Sequence, residues 1–129
     1  MTRTAVSTAD APQAIGPYSQ GIASGGLVFC SGQLGLDPAT GQVVEGGVVA
    51  QAERALGNLR AVLAAAGCTF ADVVKTTVYL ADISDFPAVN EIYATFMTEP
   101  APARATFAVG ALPKGGLVEI EAIAVHAGR

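Results

Sequence analysis

Two side chains, Arg104 and Glu119, have the chemistry of a minimal active site. Arg104 opens a β-like run in the segment PARATFAV, and Glu119 lies in the next β-like run, VEIEAIAV. A planar guanidinium can grip a carboxylate with two parallel hydrogen bonds, and a carboxylate can accept and return a proton. The pair favours proton-transfer chemistry on a small acid. The plainer alternatives are a surface arginine or half of an ion pair, and a solvated glutamate.

Three other segments carry side chains that could join such a site. Glu121 shares the predicted strand face of Glu119 and is an equally obvious partner for Arg104. Tyr18 follows the Gly16-Pro17 turn, although a half-buried tyrosine with its hydroxyl in water is the simpler interpretation. Ser31 and Gly32 end an apolar run, where a glycine permits close approach of another backbone or a ligand, or marks a β-bulge or strand end.

The familiar catalytic and metal-binding motifs are missing. The sequence contains no HExxH, P-loop, GxGxxG or GxSxG pattern. His126 is the single histidine, and Cys30 and Cys68 form neither a CxxC nor a Cys/His pattern. These observations argue against Ser-His-Asp chemistry and a zinc site, and no metal is expected.

Composition predicts one globular domain, residues 1–129, with a surface poor in charge. Hydrophobic residues make up 51% of the 129 residues and charged residues 14%, which favours an oligomer that covers apolar surface. The formal net charge is −4, and the strongest basic feature is the pair Arg54 and Arg60. Nucleic-acid binding is therefore not expected, because it needs clustered positive charge.

The sequence favours a cytoplasmic protein with no membrane contact. The first residues lack the apolar core of a signal peptide, and no run has the length and apolarity of a transmembrane segment. Cys30 and Cys68 lie in apolar contexts, which indicates buried thiols in a reducing compartment. The sequence leaves a disulfide between them open.

Hydrophobic periodicity predicts the order β-β-β-α-β-α-β-β. Gly25-Gly26 is a tight hairpin signal, Gly67 a helix terminator, and Asp82 or Ser84 a cap for the second helix, which ends near Met97. The predicted strands are residues 4–7, the two arms of the hairpin (the second at 27–31), 73–80, 104–109 and 118–125, and the first helix is 48–66. Two helices on one face of a mixed sheet define an α+β fold.

Spacing also predicts which side chains share one face of an element. In the first helix the apolar stripe is Val49, Ala52, Leu56, Leu59, Leu63 and Ala66, with Gln51 and Asn58 off it. In the strand at 73–80, Val74 is predicted to share a face with Thr76, Val78 and Leu80.

Seven segments together resemble the RidA/YjgF/YER057c/UK114 family of reactive-intermediate deaminases. The resemblance runs from about residue 11 to residue 125. The matching segments are AIGPYSQG, FCSGQLG, DPATG, QAERALGNLRAVLAAAG, VVKTTVYLADISDFPAVNEIYATF, PARATFAV and LPKGGLVEIEAIAV.

The resemblance implies a chorismate-mutase-like α+β protomer, a homotrimer, and ligand sites in clefts between subunits. It implies that Arg104 binds the substrate carboxylate and that Glu119 is associated with the reacting water. It also places Tyr18, Ser31, Gly32 and Asn90 at ligand-site positions. Many members carry a cysteine where this chain has Thr106, which here leaves substrate preference open.

The implied activity is hydrolysis of 2-imino or enamine acids to 2-keto acids and ammonia, with no cofactor. Arg104 would clamp the carboxylate while Glu119 holds water. Two alternatives stay open at this stage: a non-catalytic keto-acid-binding or chaperone-like protein, and an endoribonuclease. The acidic balance and the lone histidine argue against the ribonuclease.

Overall fold

A mixed sheet with two helices on one face forms the fold in the computed structural model, which describes residues 2–126. Within that range the elements follow the predicted order: β1 Thr4–Val6, β2 Gly21–Ser24, β3 Leu27–Leu34, α1 Gly47–Ala65, β4 Val73–Leu80, α2 Phe86–Phe96, β5 Ala103–Ala108 and β6 Val118–Val125. The strand order across the sheet is β1-β2-β3-β6-β4-β5, and β4–β5 is the parallel pair. None of the helices in this range has both the length and the apolar composition to cross a bilayer.

The hairpin and the end of α1 form where glycine allows a backbone that other residues disfavour. Gly25 and Gly26 join β2 to β3 with φ angles of 61° and 79°. Gly67 follows α1 with φ of 78°, as predicted for a C-terminal glycine. α2 has Pro87 in its first turn, and the carboxylate of Asp82 accepts from Ser84 N in the short turn before it.

The buried face of α1 differs from the prediction at its polar positions. Val49 is 40% exposed, whereas Gln51 and Asn58, predicted off the stripe, are buried. Asn58 donates to the carbonyl oxygens of Leu34 and Leu36, at 3.1 and 2.9 Å. Gln51 also bonds to the main chain, because its Oε1 accepts a hydrogen bond from Leu117 N just before β6. Both amides are buried because they satisfy main-chain groups at strand ends.

Two strands are irregular where the prediction was regular. β4 shifts register against β6 between Val73 and Lys75, so Val73 is buried. Val74, predicted to share a face with Thr76, Val78 and Leu80, is instead 46% exposed, whereas those three are buried. β3 runs on to Leu34 instead of ending at Gly32. Its register against β6 also shifts between Cys30 and Gln33. This shift is a β-bulge, which is one of the interpretations that the sequence left open at Ser31 and Gly32.

The two faces of the sheet have different neighbours. The inner side chains of β3, β4 and β6 join the buried face of α1 and part of α2 in one core cluster. Phe29, Phe107 and Val125 lie on the opposite, open face, and they are 42%, 53% and 38% exposed. The open face therefore carries exposed apolar side chains, and no element within residues 2–126 covers it.

Candidate functional site

Arg104 is held by one face of α2. Its Nη1 donates to Asn90 Oδ1 at 2.7 Å. Its guanidinium carbon lies 4.8 Å from the ring centroid of Tyr93 and 5.2 Å from that of Phe86. The three helix residues follow an i, i+4, i+7 spacing, which places them on one face of α2. The guanidinium is therefore oriented before any ligand binds.

The guanidinium retains donors for a ligand. Arg104 is exposed. Apart from the bond to Asn90, its guanidinium N–H groups have no hydrogen-bond partner within residues 2–126. Beside it lies a groove of about 380 Å³, lined by Asn90, Tyr93, Ala94, Met97, Glu99, Ala101, Pro102 and Arg104. An oriented arginine with free donors next to a groove can bind a small carboxylate.

Glu119 occupies the centre of the sheet, on β6 between β3 and β4. Its side chain is half-buried, and it lies opposite Leu34 on one side and Tyr79 on the other. Loss of hydration on burial raises the pKa of Glu119, and the nearby carboxylate of Glu121 raises that pKa further. A carboxyl group with a raised pKa is a better proton acceptor and donor near neutral pH.

Gly32 makes room for the Glu119 carboxylate. A Cβ atom added at Gly32 would lie 2.7 Å from Glu119 Oε2 and 2.9 Å from its carboxyl carbon. The bulge at Ser31 and Gly32 therefore brings backbone, without a side chain, against the carboxylate. The sequence predicted close approach of a backbone or a ligand at this glycine, whereas the group found against it is the side chain of Glu119.

The Ser31 hydroxyl fastens the loop that carries Tyr18. Ser31 Oγ donates to the carbonyl oxygen of Ser19 at 2.6 Å, and Ser31 N donates to the carbonyl oxygen of Gln20 at 2.9 Å. The buried Gln20 amide in turn bonds to backbone groups of residues 8–12. The hydroxyl has a single proton, so in this arrangement Ser31 can only accept a further hydrogen bond.

Tyr18 projects from this loop and is 53% exposed. It lines a cavity of about 580 Å³ between the loop and the first strand. The loop that carries Tyr18 is therefore hydrogen-bonded to Ser31, and the next residue, Gly32, lies against Glu119.

Arg104 and Glu119 lie on opposite faces of the sheet. Arg104 pairs with Thr76, whose side chain points to α2, whereas Glu119 pairs with Tyr79 on the open face. Directly paired residues of neighbouring strands share a face, and successive residues alternate. One protomer does not bring the two predicted catalytic groups together.

Thr106 lies on the helix-side face with Arg104. It pairs with Val78, and its Oγ1 is buried with no hydrogen-bond partner within residues 2–126. A buried hydroxyl without a partner carries an energetic cost.

Sequence reasoning missed the aromatic support of Arg104. In the sequence, Phe86 and Tyr93 fit the apolar spacing of an amphipathic helix, which gives no sign of a contact with an arginine. Their spacing with Asn90 was visible, but the arginine that they contact lies on another element. No group of three or more His, Cys, Asp or Glu side chains in the described range is arranged to hold a metal ion.

Comparison with known proteins gives consistent matches over nearly the full length. The profile of the family described as Endoribonuclease L-PSP matches residues 8–126. The 2-iminobutanoate/2-iminopropanoate deaminase of Capra hircus is 58% identical over 126 residues, which cover 98% of this chain and 92% of the relative. The protein of the same name from Homo sapiens is 54% identical over 126 residues, with the same coverage of both chains.

Solved structures match the fold as well. RidA from an Antarctic Psychrobacter superposes with a TM-score of 0.91 at 48% identity, covering 95% of this chain and 98% of that chain. Escherichia coli TdcF with bound serine superposes with a TM-score of 0.89 at 42% identity, again covering 95% and 98%.

Proposed function

Since the chain belongs to the Endoribonuclease L-PSP family, we infer that it is a deaminase that hydrolyses reactive 2-imino acids and their enamine tautomers. The products are a 2-keto acid and ammonia. The near-full-length identity to proteins named as 2-iminobutanoate/2-iminopropanoate deaminases carries this conclusion. The oriented guanidinium of Arg104 beside an open groove supports it from geometry.

The reaction adds water across the C=N bond. Water oxygen bonds to the imine carbon while the nitrogen takes up a proton, which gives a carbinolamine. The nitrogen then takes up a second proton, the C–N bond breaks and ammonia leaves, while the hydroxyl proton passes to solvent as the C=O bond forms and balances the proton that the nitrogen took up first. No electrons are transferred, and the chemistry requires only positioning and proton handling.

Arg104 binds the substrate carboxylate in this scheme. Its guanidinium offers a bidentate edge, and Asn90 fixes the opposite part of the group. A carboxylate gripped at two points holds the adjacent imine carbon in one place. Thr106, two positions along the same face, is assigned to the same part of the pocket.

Glu119 handles the protons. Ionised, it takes a proton from the attacking water, and it returns that proton to the departing nitrogen. Its raised pKa suits both steps, because the two protonation states are then closer in free energy near neutral pH. Gly32, Ser31 and Tyr18 form the rest of this half of the site.

We assign each complete site to two protomers of a homotrimer. Arg104 and Glu119 lie on opposite sheet faces, so a small acid can contact both only if they come from different subunits. The open face exposes three large apolar side chains, Phe29, Phe107 and Val125, and these support contact between copies. We also propose a cytoplasmic location, which the buried thiol of Cys30 supports.

A trapping assay tests the function. An amino-acid oxidase generates the imino acid, semicarbazide traps it, and the protein competes for it. Wild type is expected to suppress semicarbazone formation, and Arg104→Ala is expected to lose that effect. Arg60→Ala is the matched control, because Arg60 also stacks on an aromatic ring, at 4.7 Å from the Phe96 centroid, but lies on α1.

The outcomes separate the candidate functions. No suppression by wild type with any amino acid, together with calorimetric binding of 2-ketobutyrate, would replace the deaminase by a keto-acid-binding protein. Full activity of Arg104→Ala would overturn the role of the arginine but leave the deaminase.

A further inference from the structure

We propose that Tyr93 and Thr76 are positioning residues that set the plane of the Arg104 guanidinium and hence the affinity for the substrate carboxylate. The inference rests on the proposed function, in which Arg104 binds that carboxylate. Thr76 is fully buried, and Tyr93, although it lines the groove, is only 6% exposed. They act through the arginine, from the buried side of α2 and β4.

The first support is the stacking of Arg104 on Tyr93. The guanidinium carbon is 4.8 Å from the Tyr93 ring centroid, closer than the 5.2 Å to Phe86. A guanidinium is flat, and stacking on a ring aligns its plane with the ring face. The position of the Tyr93 ring therefore contributes, together with Phe86 and Asn90, to the direction of the N–H edge that is left for a ligand.

The second support is that the Tyr93 ring is fixed at its far end. Its hydroxyl lies 2.6 Å from Thr76 Oγ1, and either oxygen can be the donor. Thr76 is 0% exposed and Tyr93 is 6% exposed. Two buried hydroxyls that satisfy each other resist separation, because breaking the bond leaves both unpaired.

The third support is the strand register. Thr76 is the β4 residue directly paired with Arg104 of β5. The backbone pairing of Thr76 with Arg104, the Thr76–Tyr93 hydrogen bond and the stacking of Tyr93 on Arg104 form a closed ring of contacts. Asn90 adds one hydrogen bond at the outer side of the guanidinium. An arginine on an exposed edge strand is in this way tied to the core.

The test compares kinetic constants for variants of this ring of contacts. Tyr93→Phe keeps the aromatic face and removes the hydroxyl, and Thr76→Val removes the other partner. Both are expected to raise KM about three- to tenfold, the range of a weakened cation–π contact, with kcat nearly unchanged. Thr76→Ser keeps a hydroxyl and is expected to restore a KM near that of wild type.

The double variant Thr76→Val/Tyr93→Phe separates positioning from stability. Removing both hydroxyls leaves no unpaired group, so thermal stability is expected to recover relative to the single variants. KM is expected to stay raised, because the aromatic ring at position 93 still lacks the hydrogen bond that fixes it. A double variant that regains wild-type KM together with its stability would overturn the proposal.

Two control variants show which part of the proposal is wrong if the expected changes in KM are not observed. Thr95→Ala removes a hydroxyl from the exposed side of α2, where it donates to the carbonyl of Ile92, and should leave KM unchanged. Arg104→Ala must impair turnover. If it does not, the proposed function of the arginine has failed. If it does, and Tyr93→Phe and Thr76→Val match wild type, only the positioning role has failed.

Discussion

At the scale of single residues, the two glutamates of β6 define how the activity should depend on pH. Glu119 must be ionised to accept a proton from water, so activity is expected to fall as pH drops through its pKa. That pKa is raised first by burial and second by Glu121. The acid limb of the profile should therefore lie above the pH expected for an ordinary glutamate.

Glu121→Gln should shift this acid limb to lower pH. The substitution removes the neighbouring negative charge, so the carboxylate form of Glu119 becomes more favourable and its pKa falls. Burial remains, so the limb should not return fully to the ordinary value. The measurement is kcat/KM against pH for the imino acid, with Glu53→Gln, an exposed glutamate of α1, as control. An unshifted limb would mean that Glu119 is not the group that titrates.

Thr106→Val should stabilise the protein. The buried hydroxyl has no partner within residues 2–126, and its removal is expected to raise the free energy of unfolding by about 1 kcal/mol. Thr76→Val is the matched contrast, because it leaves the Tyr93 hydroxyl unpaired and should destabilise. Denaturant unfolding measures both. A destabilised Thr106→Val would indicate that the hydroxyl gains a partner in the assembled protein.

At the scale of elements, the β-bulge in β3 links backbone shape to chemistry. Gly32→Ala would place a methyl group 2.7 Å from Glu119 Oε2. The carboxylate end can move aside, so the fold should survive, but the displaced base should lower kcat by about tenfold or more. Kinetics and a melting curve together test this prediction.

Gly57→Ala is the control for that substitution. Its added methyl also meets the end of a side chain, Arg54 Nη2 at 3.2 Å, but on the outside of α1. Alanine should stabilise this helix by about 1 kcal/mol, with activity unchanged. Equal loss of activity in both variants would show that the effect at Gly32 is not specific to Glu119.

The elements themselves could be predicted from sequence because their signals are local. The stripe of α1, the alternation in β6 and the hairpin at Gly25 and Gly26 depend on neighbours within a few residues. The burial of Asn58 and Gln51 could not be predicted, because the main-chain groups that they satisfy belong to distant segments. The exposure of Val74 depends on a register shift between two strands, and a single strand carries no signal for it.

At the scale of the whole molecule, the separation of Arg104 and Glu119 by the sheet leads to a complementation experiment. In mixed oligomers of Arg104→Ala and Glu119→Gln subunits, some interfaces combine an intact arginine with an intact glutamate. For an equal mixture in a symmetric ring, about a quarter of the sites should be restored. A site contained in one protomer would restore none. Activity after co-refolding, compared with each variant alone, decides between them.

The candidate residues could be predicted from the sequence, but their arrangement could not. The types and positions of Arg104 and Glu119 are visible in the strands that carry them. Their placement on opposite faces follows from the order β3-β6-β4-β5 and the registers between those strands. Those pairings connect segments far apart in the chain, so no local pattern specifies them.

The buried cysteines have a practical consequence for the trapping assay. An amino-acid oxidase releases hydrogen peroxide with every imine, and peroxide attacks thiolates. Burial, and secondarily the proximity of Cys68, raises the pKa of Cys30 to about 12, which keeps it in the protonated form that reacts slowly. Cys68 is buried as well, and position 106 carries a hydroxyl in place of a thiol. The protein should therefore tolerate the oxidant made alongside its own substrate.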